Sequence, residues 1–579
     1  MQRKISSLPY FERWFIYGII IGILVGFMDL SLYYLNVFVI EDLVLGKIIG
    51  ISLPHPGIAV YIDYWKSIKR LIFLPVIIAI ASLLSVVIAL LMRTPEIGSD
   101  VAIRAFHRGN RIKPIEIPAS IISSSITIGF GGSAGREGPS SHAGAGIGQF
   151  VINLFKGSSE DRRIATAVGM GSAIGVIFKT PFAGSLLAAE ILYKRDLEPN
   201  VIFPSLIASS LGYVIFSSVT GFSPIFGTYT LPFSPERLPL YVVLGLISGG
   251  IAIIYPYFMI GVKKAFDSRF KNQFKKALIG GMIAGSIALL FPEVMGEGYG
   301  WLWMVSNYNI APSMLPLIIT LCLLPIAKIL ATSFTLGSGA KGGVFAPGIV
   351  IGGFTGLAVG YIFHYLFPAL VPTPLPFMIV GMLSTFGIVG AVPISVTMMV
   401  VEMTGGLQLL PAEMIALASA YLVARNTKGV FLEQQLNRME SPAHASEFST
   451  PLLAKMKVSD VKIAKIYIKP TDSVKKAMDL MYSLNLFSLP VVDDLNNLIG
   501  VVKLNSIIKA NENDWIIKYA SPPPNYVRLS SSLYDALEVM AKSRYVIVME
   551  NRKFLGILLL DDIAKAYREF EEKLKRENL

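Results

Sequence analysis

Long apolar runs alternate with glycine- and proline-rich phrases over the first three quarters of the chain, after which the pattern changes. Runs at Phe15 to Val39, Leu71 to Met92, Leu240 to Ile260, Leu315 to Ala331 and Met378 to Val401 are each long enough to cross the hydrocarbon core of a bilayer. With the more broken stretches between them, the pattern predicts more than about ten membrane helices, several of them interrupted. Hydropathy falls at EQQLNRMESPAHASEFST, residues 433–450, which reads as a linker. Beyond it the chain has soluble character and repeats itself, with Val474, Ala477, Met478 and Met481 matching Leu533, Ala536, Leu537 and Met540. Each copy predicts an amphipathic helix, a strand (LPVVD, YVIVME), a turn, a second strand (LIGVV, FLGILLL) and a second helix. The boundaries read as a membrane domain over 1–440, a linker over 441–454, two copies over 455–511 and 512–570, and a charged tail over 571–579.

Composition sharpens the class. The chain is 53% hydrophobic and 16% charged, which marks an integral membrane protein. The basic start MQRKISSLPYFERWF leads into a stretch too long for a signal-peptide core and without a small-residue cleavage site, so it reads as a retained first membrane segment. The single cysteine, Cys322, excludes an intrachain disulfide. A net charge of +12 would suggest nucleic acid in a soluble chain. In a membrane protein, clusters such as Arg104, Arg108, Arg111 and Lys113, or Lys194 and Arg195, collect in cytoplasmic loops. Cytoplasmic termini, contact with lipid and no nucleic-acid partner are the expectations.

Glycine and proline concentrate in GGSAGREGP (131–139), GSAIGVIFKTPFAGSLLAAE (171–190), PEVMGEGYG (292–300) and GSGAKGGVFAPG (337–348). Broken backbone at membrane depth is tolerated only where protein or a water-filled cavity receives its polar groups, so these phrases mark a transport path. Half-helices that begin inside the membrane aim free N–H groups and a positive dipole end inward, a ready site for an anion. GGSAGREGP and GSGAKGGVFAP lie about 200 residues apart, as two repeats meeting at a midplane site would require. The P-loop pattern is missing and neither phrase follows a soluble strand, which argues against phosphotransfer and against an enzyme. Close helix packing explains the glycines by themselves. It does not explain Arg136 and Glu137, whose placement at membrane depth is costly unless paired or hydrated.

GSAGREGP, the GSGAxGGxFxP phrase from Gly337 to Pro347, FKTPFAG at 178–184 and PEVMGEGYG together resemble the CLC family of chloride channels and chloride/proton antiporters. The duplicated tail resembles a pair of CBS domains, which fits the same family. The resemblance implies an α-helical homodimer whose subunits each hold a pore made of two inverted repeats of tilted, partial helices, followed by a small cytoplasmic α/β module. It implies that Glu137 is the gate, a carboxylate that occupies an anion site and leaves it when protonated. The backbone N–H groups of Arg136, Glu137 and Gly138, and those of Val344 and Phe345, would face chloride. The path would be lined by residues 98–100, 135–138, 343–347 and 429–431.

Three positions depart from the family pattern. The early chloride-coordinating serine corresponds to Ile97 in one alignment and to Ser99 after a two-residue slip, an ordinary helix cap by Ser99 or Asp100 being the plainer reading. Phe431 stands where many members have a tyrosine, and cannot donate its hydrogen bond. Ile191 occupies the inner proton-glutamate position, with Glu190 one residue before it reading as a structural carboxylate. In the tail, Gly500 is followed by Lys503 and Ser506, and Gly556 by Leu559 and Asp562, so only Asp562 keeps the ribose-holding carboxylate expected of an adenine-nucleotide site. The tail would therefore bind such a nucleotide or act as a ligand-free regulatory module. No other cofactor and no metal are expected. The reading is chloride transport leaning to channel-like or loosely coupled movement, with an obligate chloride/proton antiporter and a membrane-anchored nucleotide sensor as alternatives.

Overall fold

Four of the five long apolar runs fold as continuous helices, and the fifth is broken. The computed structural model describes residues 5, 8–55, 71–307, 314–444, 453–454, 456–523, 525–540, 544–551 and 553–577. Its contacts divide the chain into two units, Met1–Ala443 and His444–Leu579. In the first unit, α1 (Tyr10–Tyr33) continues as a π-helix over Tyr34–Ile49. There follow α2 (Leu74–Leu91), α3 (Ser99–Arg108), α4 (Glu116–Gly129), α5 (Glu137–Leu154), α6 (Ser159–Ile177), α7 (Pro181–Glu190) and α8 (Ile202–Thr220). The second half holds α9 (Leu238–Arg269), α10 (Gln273–Leu290), α11 (Tyr299–Asn307), α12 (Met314–Gly337), α13 (Phe345–Leu366), α14 (Leu375–Val389), α15 (Pro393–Thr404) and α16 (Leu410–Ala424).

Among the described residues eight helices are long and apolar enough to cross a bilayer, and α14 and α15 are shorter apolar helices. The run from Met378 to Val401, expected as one crossing, is two helices, each too short to count among the eight. Gly390 ends the first, Ala391 takes the left-handed φ of 52°, and Pro393 starts the second. A proline at a helix start costs nothing, since its missing N–H would be unpaired there. Pro256 and Pro325, by contrast, sit inside α9 and α12 without ending them.

Helix contacts follow the small residues. Gly18, Gly22 and Gly26 share one face of α1, where added side chains would meet the backbone of Pro204, Ala208 and Gly212 on α8. Gly144 and Gly148 do the same for α5 against Gly169 and Ala165 of α6. Close packing is thus the whole explanation of those glycines.

The two halves repeat a turn. Lys179 (φ 57°) and Pro181 link α6 to α7 as Ala391 and Pro393 link α14 to α15. Glu190 at the end of α7 accepts the Ile394 and Ser395 N–H groups at the start of α15, at 3.0 and 2.7 Å. Glu402 near the end of α15 accepts the Phe182 and Ala183 N–H groups at the start of α7, at 3.3 and 2.9 Å. Two helices that cap each other's first turn in this way must run antiparallel, as inverted repeats require.

In the second unit each copy has its helix over a hairpin. In the first, α17 (Val474–Ser483) packs on β1 (Ser488–Val492) and β2 (Leu498–Lys503), followed by the short α18 (Leu504–Ile507). The second has β3 (Tyr526–Val527), α19 (Leu533–Met540), β4 (Tyr545–Glu550), β5 (Lys553–Leu559) and α20 (Leu560–Glu577). The matched residues Val474, Ala477 and Met481, and Leu533, Ala536 and Met540, are buried in the two cores. The cores exchange their entering segments: Met456, Val458 and Val461 lie in the second core and Ile516 in the first. A cut at 511/512 therefore divides the sequence and not the packing. Of the expected linker, residues 445–452 lie outside the described residues, while Ser441 is buried and its Oγ lies 2.8 Å from His107 Nδ1. Residues 578–579 of the expected tail also lie outside them.

Candidate functional site

Two glycine-rich phrases meet backbone to backbone. Gly135 N–H donates to the Gly343 carbonyl at 2.9 Å and Gly343 N–H to the Gly135 carbonyl at 2.6 Å. This one-rung bridge sits immediately before α5 and α13, so the first turns of both helices point at a shared space. Side chains would forbid it, since a Cβ on Gly138 would lie 2.8 Å from Gly343 Cα. Glu137 opens α5 and is 1% exposed. Its carboxylate accepts the Ala346 N–H in the first turn of α13 at 3.3 Å. A Cβ on Gly135 would collide with that carboxylate, so the glycine is what leaves room for this pose. Among the described residues the N–H groups of Gly138, Val344 and Phe345 meet no acceptor. They are the first-turn donors that a helix leaves open and that suit an anion.

Glu137 stands between two cavities. One, of about 470 Å³, is lined by Ser99, Gly138, Val344 and Phe431, and also by Lys263 and Lys341. The other, of about 530 Å³, is lined by Arg136, Glu41, His55, Lys179, Glu297 and Trp301. The residue before Glu137 faces one space and the residue after it faces the other. Four sequence-predicted residues, Ser99, Gly138, Val344 and Phe431, thus share one wall. Phe345 contributes its N–H alone, because its ring is buried 4.1 Å from that of Phe386.

The Arg136 side chain is engaged on the Glu297 side. Its guanidinium pairs with Glu297 and lies over the Tyr33 ring at 5.4 Å. The phrase PEVMGEGYG supplies Glu297, and Lys328 holds that loop by donating to the Val294 and Gly296 carbonyls at 2.9 and 2.8 Å. Sequence reading passed over Glu297 and Lys328, although a lone lysine in the run from Leu315 to Ala331 is a signal in itself. Beyond Glu297, His55 lies 3.8 Å from Glu41 and 3.3 Å from Asp42. Tyr255 gave no sequence signal; its hydroxyl donates to the Val344 carbonyl at 3.0 Å and so helps aim the 344–345 peptide.

At the other wall, Ser99 opens α3 after Gly98 (φ 137°) and no side chain caps that helix. Asp100 instead accepts the N–H groups of Leu432 and Glu433 at 2.8 and 3.2 Å, which fixes the segment carrying Phe431. Glu190 is held by the first turn of α15, and the Ile191 carbonyl accepts from the Gln434 amide at 3.0 Å.

The second unit has its own cavity, about 840 Å³, lined by Ser488, Lys503, Asn505, Ser521, Arg544 and Tyr545 among others. Asp562 stands in the first turn of α20, outside the lining of this cavity.

The family model described as voltage gated chloride channel matches residues 79–425, more than half of the chain. The chain belongs to that family. It is a polytopic integral membrane protein with the CLC fold, and its activity is chloride transport of the CLC type. CBS domain models match residues 458–513 and 516–569. An uncharacterized protein of Methanocaldococcus jannaschii is 27% identical over 370 residues, covering 63% of this chain and 89% of its own. An H(+)/Cl(-) exchange transporter ClcA of Salmonella arizonae is 28% identical over 398 residues, covering 65% and 82%. Among solved structures, a slow cyanobacterial Cl−/H+ antiporter aligns with TM-score 0.60 at 21% identity over 74% of this chain and 97% of its own. A eukaryotic CLC transporter aligns with TM-score 0.55 at 17% identity, covering 95% and 97%. The last of these extends the likeness in fold to nearly the whole chain.

Proposed function

We propose that chloride crosses between the two cavities past Glu137, whose ionised carboxylate holds an anion position at the Ala346 N–H and yields it on protonation. The observation that supports this reading is the position of Glu137, with Arg136 on one cavity, Gly138 on the other, and unpaired Val344 and Phe345 N–H groups beside it. Amide donors bind a halide without a full charge that would trap it, and conduction needs weak binding. Ser99 and Phe431 wall the approach, Ser99 as a hydroxyl ligand and Phe431 as an apolar collar. A carboxylate competes with chloride only when ionised, so flux rises as pH falls. In liposomes loaded with chloride, Glu137→Gln removes that pH dependence; an unchanged pH profile refutes the gate.

The movement is channel-like or loosely coupled to protons, because Ile191 cannot carry a proton and Glu190 is engaged by α15. The named relatives favour a second reading, an obligate chloride/proton antiporter. A reversal potential measured across a pH gradient separates them: a value set by chloride alone supports the first, and a shift with the proton gradient the second.

Two copies of the chain form a homodimer in lipid with both termini cytoplasmic, each copy with its own path. In the second unit an adenine nucleotide sets its phosphates against Lys503 and Arg544 in the 840 Å³ cleft, with Asp562 outside the lining of that cleft. Calorimetry of the full chain with ATP and AMP tests this; absence of heat leaves the unit a ligand-free regulatory module.

A further inference from the structure

Ser99 and Ser141 share too few protons for an anion to bind Ser99 freely. Ser141 lies one turn into α5 and is wholly buried, and Ser99 is 7% exposed on the cavity wall. The Ser141 hydroxyl lies 2.7 Å from the Gly138 carbonyl. A carbonyl only accepts, so this bond takes the one proton that Ser141 has. The two serine hydroxyls lie 2.8 Å apart. With the Ser141 proton committed, Ser99 must be the donor between them. Its lone pairs then face the cavity, the wrong polarity for an anion.

We infer that Ser141 is a positioning residue that competes with the transported anion for the Ser99 hydroxyl proton and so weakens chloride binding at Ser99. When an anion arrives, the Ser99 proton turns to it. Ser141 then keeps its bond to Gly138 and loses Ser99, or turns to Ser99 and loses Gly138. One neutral hydrogen bond is given up either way. The Gly138 carbonyl, inside α5, is not stranded by the second choice, because the helix supplies it with an N–H donor four residues on. The benefit is release: a weaker site empties faster, which transport at high chloride requires. No side chain other than Ser141 forms a hydrogen bond with the Ser99 hydroxyl among the described residues, so the competition is a two-group affair.

The inference rests on Ser99 being a chloride ligand, and the test separates the two. Chloride binding is measured by calorimetry on the detergent-solubilised full chain, and turnover by chloride efflux from liposomes. Ser141→Ala frees the Ser99 proton, and chloride is expected to bind about two- to tenfold more tightly, the equivalent of one neutral hydrogen bond. Half-saturation of efflux falls in step while the maximal rate declines. Ser141→Thr, which keeps the hydroxyl, returns both towards wild type. In a Ser99→Ala background the Ser141→Ala change has no effect. If Ser99→Ala weakens binding but Ser141→Ala leaves it unchanged, the competition is overturned and the ligand role of Ser99 survives. If Ser99→Ala itself leaves chloride affinity unchanged, both fall.

Discussion

The two cavities on either side of Glu137 handle charge in opposite ways. On the Glu297 side, Arg136 is paired with Glu297, His55 lies between Glu41 and Asp42, and Lys179 donates to the Thr220 and Gly221 carbonyls at 2.9 and 2.7 Å. On the Ser99 side the wall carries the Ser99 hydroxyl, glycine backbone and the Phe431 ring together with Asp100, Arg104, Lys263 and Lys341. Arg104 there bridges Glu96 and Glu433, while Lys263 is exposed and lies within electrostatic reach of Glu96 and Asp100. The difference teaches that the charge next to Glu137 on one side, Arg136, is met by a buried carboxylate, whereas on the other side the neighbouring residue, Gly138, brings no side chain at all. Between them stand the first-turn N–H groups of α13 and the Glu137 carboxylate.

The largest effect is expected from breaking the buried pair. Arg136→Gln strands the Glu297 carboxylate and should destabilise the membrane unit by about 3–5 kcal/mol, with Arg136→Gln/Glu297→Gln recovering most of it. Thermal unfolding in detergent measures both, and a double variant no better than the single would show that the pair is not what sustains that cavity. Next comes the carboxylate between the cavities. Wild-type efflux should fall by up to about tenfold per pH unit over the range where Glu137 ionises, and the Glu137→Gln profile should be flat. Gly135→Ala sharpens the same contrast by forcing the carboxylate out of its pose, so its efflux should lose most of the alkaline inhibition without any change to Glu137. A smaller effect belongs to the reciprocal caps. Glu190→Gln or Glu402→Gln should each cost about 1 kcal/mol, read as a lowered unfolding midpoint, with chloride flux retained. If Glu190→Gln instead abolishes proton movement, its structural role is wrong. The smallest is at the exposed lysine of the Ser99 side, where Lys263→Gln should lower chloride conductance less than about twofold, and only at low ionic strength.

The path was legible in the sequence where chemistry is local. Glycine phrases at 131–139 and 337–348 announce broken helices, and Glu137 stands out as a charge at membrane depth. The duplicated tail was equally plain, because Val474, Ala477 and Met481 repeat as Leu533, Ala536 and Met540 at helical spacing. The side-chain partner of Arg136 was not legible, because Glu297 lies far away in the chain and nothing local indicates that the two meet. The break inside the run from Met378 to Val401 was missed since apolar character is the same on both sides of Ala391, and only backbone geometry separates them.

By itself the sequence determined the solvent of each part, the places where the helices break and the family to which the chain belongs. These follow from hydropathy, from backbone freedom at glycine and proline, and from contiguous motifs, all of which act over a few residues. Only the tertiary structure decided that Gly135 and Gly343 form one bridge, that Glu137 lies between two cavities, that Glu190 and Glu402 cap each other's helices, and that the Ser99 and Ser141 hydroxyls meet. Each of these depends on the distance between groups remote in sequence, and hydrogen bonds and ion pairs are decided by ångströms that no local pattern encodes.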